Sequence, residues 1–373
     1  DAHVFKLETN YRSLPGILNV ANECIAGNPN QFKKTLRAVR TAPDRPRLVD
    51  VQDGRQQAHY VAEEIARWVG AGVQPREIAV LYRSHFHALE AQLELQRRGI
   101  PFAITSGVRF FEQAHIKDVC AVLRLAHAPA DALAFRRLLP LLPRIGERGA
   151  ARIWRDLGER FNPLSRAENQ ALLLRLPEPA RAAWTRTAAA LATVPAEPPG
   201  DRAGRLIEKF IESFYDEYIA LNFEDADRRR EDLQALMDYT ARYDTLGDFL
   251  NEVALLTNVD TGGAARRRRT DGEDRVLLST VHQAKGLEWR VVFVLWLAEG
   301  LFPSGRSLEE DPAAEEERRL FYVAVTRAKD ALYLCAPKMR LGRDHQMKFY
   351  SPSRFIKEIP ANLLQRERIG WVY

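Results

Sequence analysis

Between residues 47 and 104, short apolar runs alternate with helical periodicities. Leu48-Val49-Asp50-Val51 reads as a strand, and Val61, Ile65 and Trp68 at i, i+4 and i+7 share one helical face. Ile78-Ala79-Val80-Leu81-Tyr82 is a second strand, a helix carrying Leu89 and Leu93 follows, and Pro101-Phe102-Ala103-Ile104 is a third strand. This β-α-β-α-β rhythm predicts a parallel sheet with helices on its faces. From about 112 to 257 strand signals vanish and the pattern is helical, apart from a Pro/Ala-rich stretch, Pro177 to Gly204, predicted to be a loop or insertion. Strand signals return at Arg275 to Val281 and again at Ala331 to Ala336. Between them, Val291 to Leu297 is an unbroken apolar run of the kind a strand covered on both faces shows. The simplest arrangement is one α/β domain built from both ends of the chain, residues 1–112 and 275–373, with a mostly helical domain, 113–274, inserted between them.

Composition narrows the class. A chain of 373 residues exceeds one ordinary core, and 46% hydrophobic residues suffice for two or three domains. The longest apolar run, Val291 to Ala298, is far short of a membrane span, and the N-terminus has no secretory pattern, so a soluble, cytoplasmic protein is expected. Cys24, Cys120 and Cys335 are odd in number and far apart, which predicts reduced, buried thiols. The charge of +5, from 55 basic and 50 acidic residues, permits a nucleic-acid partner without requiring one. Gly262-Gly263-Ala264-Ala265-Arg266-Arg267-Arg268-Arg269 reads either as a solvated linker or as a grip on DNA phosphates.

Chemistry concentrates in a few segments. They are Leu7-Glu8-Thr9-Asn10-Tyr11-Arg12-Ser13, Ser279-Thr280-Val281-His282-Gln283-Ala284-Lys285-Gly286-Leu287-Glu288, and the segment from Glu315 to Ala328 that contains Val325-Thr326-Arg327-Ala328. In that order they resemble motifs IV, V and VI of superfamily 1 DNA helicases of the UvrD/Rep/PcrA type. Gly107-Val108-Arg109-Phe110-Phe111-Glu112-Gln113 with Ile116-Lys117-Asp118 resembles that family's motif IVa. Four matches in order, with a long gap between IVa and V, are spread over nearly the whole chain.

The resemblance implies the C-terminal half of such a helicase: a RecA-like second lobe of the P-loop NTPase type, with an inserted helical domain. It implies that Arg12 and Arg327 reach the γ-phosphate of ATP, that Tyr11 stacks on the adenine, that Glu288 bonds the ribose, and that Gly286 lets the backbone approach the nucleotide. Always charged and planar, an arginine matches phosphate oxygens bidentately and suits the charge that spreads in phosphoryl transfer. On local sequence alone, Arg12 is equally a surface residue starting a helix, Arg327 a partner in an internal salt bridge, and Tyr11 a core tyrosine. Thr280 and His282, at the end of a predicted strand, match family residues that touch the single-stranded DNA backbone; a structural histidine is the alternative. Leu142 to Ile153 is similar to a helix-hairpin-helix, with Gly146 in the hairpin and Arg148, Arg152 and Arg155 on one helical face. Arg144 stands where that pattern has its first glycine, which leaves a plain helix pair as the alternative.

No Gly-x-x-x-x-Gly-Lys-[Ser/Thr] segment occurs, nor an apolar strand ending in an Asp-Glu pair. The chain therefore reads as a fragment beginning just before motif IV and inactive alone, with the phosphate cradle and the Mg²⁺ ligands on an absent N-terminal RecA-like domain. The implied protein is an ATP-dependent helicase of replication or repair, moving 3′ to 5′ on single-stranded DNA and opening duplex at single-strand/double-strand junctions in the bacterial nucleoid. A helicase-nuclease of the AddA or RecB type would need a further domain after the last predicted strand, which ends at Ala336. A non-catalytic DNA-binding subunit would have no use for two phosphate-directed arginines.

Overall fold

The structure, a computed structural model, describes residues 6–30, 34–42, 45–105, 110–194, 202–258, 274–305, 311–341 and 346–370. Gly107-Val108-Arg109 of the motif IVa segment and the arginine run Gly262 to Arg269 lie outside these residues. The chain forms two compact units. One is α/β, from 1–109, 270–340 and 347–373; the other comprises 110–269 and 341–346.

The strands are β1 (Thr9–Asn10), β2 (Arg37–Ala38), β3 (Arg47–Val51), β4 (Ile78–Tyr82), β5 (Phe102–Ile104), β6 (Val276–Thr280), β7 (Trp289–Val294), β8 (Ala328–Pro337), β9 (Met339–Leu341), β10 (Met347–Phe349) and β11 (Gln365–Arg368). Seven form one sheet in the order β11-β3-β8-β7-β4-β6-β5, and all its pairings are parallel. β4 lies between β6 and β7, so the two stretches of sequence interleave in a single sheet. Strand alternation sends Ala79, Leu81, Val292 and Val294 to one face, where Ile17 and Val20 of the helix Pro15–Ala26 and Phe321 and Ala324 of the helix Asp311–Val325 pack. Ile78, Val80, Val291 and Phe293 meet the other face, against Val61 and Ile65 of the helix Gly54–Gly70 and Leu95 of the helix Leu89–Arg97. Both faces are buried, which explains strands that are apolar throughout.

Two expectations change. The strand ending at Pro337 is not the last, because β11, sequence Gln365-Arg366-Glu367-Arg368, pairs with β3 at the edge of the sheet. Its charged residues carry no apolar signal: Arg366 extends to Asp50, with Nε 2.6 Å from Oδ2. The Pro/Ala-rich stretch is largely helix rather than loop: Glu178–Leu191 is helical with proline in its first turn, and Arg202–Phe210 is helical again. Alanine is the best helix former, and proline at a helix start forfeits no hydrogen bond.

The second unit is helical over its described residues from 110 to 258, apart from the connecting turns. Asp131 caps the helix Ala132–Leu138 and Ser165 caps Arg166–Leu173 through side-chain acceptors. Phe135, Trp154, Phe161 and Trp184 form its aromatic centre. Asp118, from the motif IVa segment, is buried here; it accepts the Tyr215 hydroxyl at 2.5 Å and lies 2.8 Å from Arg137 Nε.

Candidate nucleotide site and DNA-facing elements

The loop after β1 is fastened to the start of β8. Asn10 Oδ1 accepts the backbone N–H groups of Arg12 and Ser13, each at 2.9 Å, and so turns the chain. Ser13 Oγ donates to the Ala328 carbonyl at 2.6 Å, and Leu14 N–H donates to the Lys329 carbonyl at 3.0 Å. Arg40 adds a brace, donating from Nη1 to the carbonyl of Arg12 at 2.7 Å and from Nη2 to Asp330 at 2.7 Å. Asp330 is shared with Arg290 at 2.8 Å.

These fixings bring Arg12 and Arg327 to a common point. Arg12 donates to the Thr326 carbonyl at 3.3 Å and pairs through Nε with Glu288. Glu288 also holds Lys329 Nζ, 2.9 Å from its Oε1. The lysine contact, opposed by partial burial and assisted by Arg12, keeps the Glu288 carboxyl below the usual carboxylate range. Arg327 donates to the carbonyls of Val323 at 3.1 Å and Leu287 at 2.8 Å, and to Thr326 Oγ1 at 3.2 Å. Among the described residues no carboxylate pairs with it, so its partners are not those of an internal salt bridge. Burial, then the neighbouring Arg12, push its pKa below the ordinary arginine value. Two neighbouring guanidinium groups beside a single carboxylate form a setting suited to an anion.

Other local alternatives are also resolved. Tyr11 is 74% exposed, so it is not a core tyrosine. Arg12 precedes, rather than begins, the helix that starts at Pro15. The helix before Arg327 ends at Val325, and Ala328 already belongs to β8. Gly286 has φ +91°, a conformation that favours glycine, with open space where a Cβ would stand. No helix follows it; the chain runs into β7.

Thr280 and His282 lie elsewhere. Thr280 ends β6 beside Tyr82, at the carboxyl end of the sheet, whereas Trp289 opens β7 beside Ala328, at the amino end. Residues 281–288 therefore run back along the sheet from one end to the other, a span the sequence did not reveal. Thr280 is buried, and its hydroxyl donates to Gln283 Oε1 at 3.2 Å; His282 is exposed. In the helical unit, Gly146 is the N-cap of the helix Glu147–Asp156, and Arg148, Arg152 and Arg155 are exposed along it. Among the described residues none of these arginines, nor Arg144, has an acidic partner. The left-handed backbone falls on Arg144, at φ +60°, where the hairpin pattern has glycine.

The model for the UvrD-like helicase C-terminal domain matches residues 5–338. The chain belongs to this family. DNA helicase II of Haemophilus influenzae is 33% identical over 377 residues, which cover 99% of this chain and 51% of that protein. The ATP-dependent DNA helicase PcrA of Bacillus subtilis is 31% identical over 380 residues, 98% of this chain and 50% of that protein. The chain thus spans about half the length of the curated relatives it matches. The UvrD-like assignment agrees with the α/β unit, a seven-stranded parallel sheet covered on both faces like a RecA-like second lobe. Three features of the site lay outside the reach of sequence: Lys329, Arg40 and the Leu287 carbonyl. Each acts through a contact between segments about 28 to 289 residues apart, which no local pattern encodes. No helix among the described residues is long and apolar enough to cross a membrane.

Proposed function

We propose that this chain is the C-terminal portion of an ATP-dependent DNA helicase, and that it supplies one wall of an ATP site whose phosphate cradle and Mg²⁺ ligands lie on a preceding RecA-like domain. In this reading residues 1–112 and 275–373 face the nucleotide, and 113–274 form an accessory DNA-binding domain. The observation that carries the reading is the convergence of Arg12 and Arg327 on Thr326, with Arg327 held by uncharged oxygens alone. A guanidinium without a carboxylate is available to a phosphate at little cost in broken ion pairs.

Arg12 and Arg327 act on the charge that develops at the γ-phosphate, a contribution of about 10³ to 10⁵ in rate, or roughly 4 to 7 kcal/mol. Exposed Tyr11 offers its ring to the adenine, Glu288 accepts from the ribose, and Gly286 keeps the backbone low beside them. The reading leaves Mg²⁺ to the other domain. Residues 281–288 couple the two ends of the sheet: a shift of the Leu287 carbonyl with Arg327 is passed to His282 and Thr280, which meet single-stranded DNA. Gly146, Arg148 and Arg152 contact duplex phosphates. Translocation runs 3′ to 5′ by family resemblance, in the cytoplasm on nucleoid DNA.

The test is Arg327→Ala in the longer protein that joins this chain to its phosphate-binding half. The expected result is a fall in kcat of at least about 100-fold with much less loss of nucleotide binding. Equal losses in both would assign Arg327 to ground-state binding instead.

A further inference from the structure

The carboxylate of Glu288 has two cationic partners where one would neutralise it. Arg12 Nε pairs with Oε2, while Lys329 Nζ stands 2.9 Å from Oε1, so the two oxygens are divided between two cations. Lys329 is well placed to stay. Its carbonyl accepts from Leu14 N–H at 3.0 Å and from Arg40 Nη1 at 3.2 Å, which pins its backbone between the motif IV loop and the first residues of β8. Its side chain remains one-third exposed, on a long, flexible stem.

We infer that Lys329 is a positioning residue that holds Glu288 neutralised and aimed while Arg12 exchanges the carboxylate for phosphate. The inference rests on the nucleotide reading above. Arg12 cannot serve Glu288 and a γ-phosphate through the same Nε. If Arg12 were the only counterion, its departure would strand a partly desolvated carboxylate, and the ion pair would hold the arginine back. Lys329, a compact point charge, keeps Oε1 throughout. Oε2 is then free to pass from the guanidinium to a ribose hydroxyl. The low pKa of Glu288, to which Lys329 contributes most, agrees with this division.

The test combines Lys329→Met, Lys329→Arg and Glu288→Gln in the longer protein, assayed for ATP hydrolysis at saturating single-stranded DNA. Lys329→Met is expected to lower kcat about tenfold with KM changed less than about threefold, and Lys329→Arg to recover most of the loss. In the Glu288→Gln background there is no carboxylate to release, so Lys329→Met should change kcat by less than about twofold. In the isolated chain, the carboxyl resonance of Glu288 should titrate at higher pH in Lys329→Met than in the unsubstituted chain. An equal fall in kcat in both backgrounds, or an unmoved Glu288 titration, would overturn the role of Lys329 alone. Absence of ATP turnover by the unsubstituted longer protein would overturn the nucleotide reading first, and this inference with it.

Discussion

Arg327 is satisfied by two carbonyls and a hydroxyl, a set that fixes the guanidinium plane without cancelling its charge. That geometry needs the arginine fork, so Arg327→Lys should not rescue the kcat lost in Arg327→Ala; recovery to within about tenfold of the parent in steady-state ATPase assays would show that charge alone suffices. A different residue contributes to the acid sensitivity of the fold. His87 is buried, its ring stacks on Trp296 with centroids 5.8 Å apart, and its Nδ1 has no hydrogen-bond partner among the described residues. Burial first, then Arg340 and Arg83, lower its pKa to about 3. An unfolded histidine takes a proton near pH 6.5 while the folded one resists it, so this contribution to stability is complete above about pH 6.5 and is lost as pH falls towards 3, at about 1.4 kcal/mol per unit. Urea unfolding of the chain as a function of pH should show this slope, and His87→Phe should flatten it. An unchanged slope in the variant would place the acid sensitivity elsewhere.

At the scale of elements, what could be read in the sequence depended on how each element earns its stability. β4, β6, β7 and the helices over them announce themselves because burial on a sheet face demands apolar residues at fixed periods. β11 does not, since it lies at an edge, pairs with β3 alone, and is held through Arg366 and Asp50. The helix Glu178–Leu191 was masked by prolines that occupy only its first turn. Motif residues were legible one by one, but the division of residues 280–288 between the two ends of the sheet required the strand pairings. The helix Glu147–Asp156 presents three exposed arginines without acidic partners, so replacing Arg148, Arg152 and Arg155 with alanine should preserve helicity and weaken duplex DNA binding by the chain. The log–log salt dependence of that binding should flatten by roughly 2 to 3, about 0.9 per lost phosphate contact. An unaltered salt slope would remove this helix from the DNA interface. Packing is equally exacting between elements: a Cβ on Gly54 would lie 2.5 Å from the Trp296 ring and closer still to the Glu90 carboxylate. Gly54→Ala should cost about 1 to 3 kcal/mol in thermal or urea unfolding, and a neutral result would mean that the Trp296 site is not tightly packed.

For the whole molecule, the α/β unit holds one set of candidate residues at each end of its sheet: Arg12, Glu288 and Arg327 at the amino end, Thr280 and His282 at the carboxyl end. Residues 281–288 join them, which in the proposed function gives nucleotide state a short covalent path to DNA contact. The chain spans about half the length of the curated relatives it matches, and its sequence holds no Gly-x-x-x-x-Gly-Lys-[Ser/Thr] segment. In the proposed function this chain completes an ATP site rather than containing one. DNA-stimulated ATP hydrolysis, measured for the 373-residue chain alone and for the same chain joined to its phosphate-binding half, tests it most directly. A completing role predicts no turnover above background for the chain alone and DNA-stimulated turnover for the joined protein that collapses with Arg327→Ala. Steady DNA-stimulated hydrolysis by the chain alone, or a joined protein indifferent to Arg327→Ala, would contradict it.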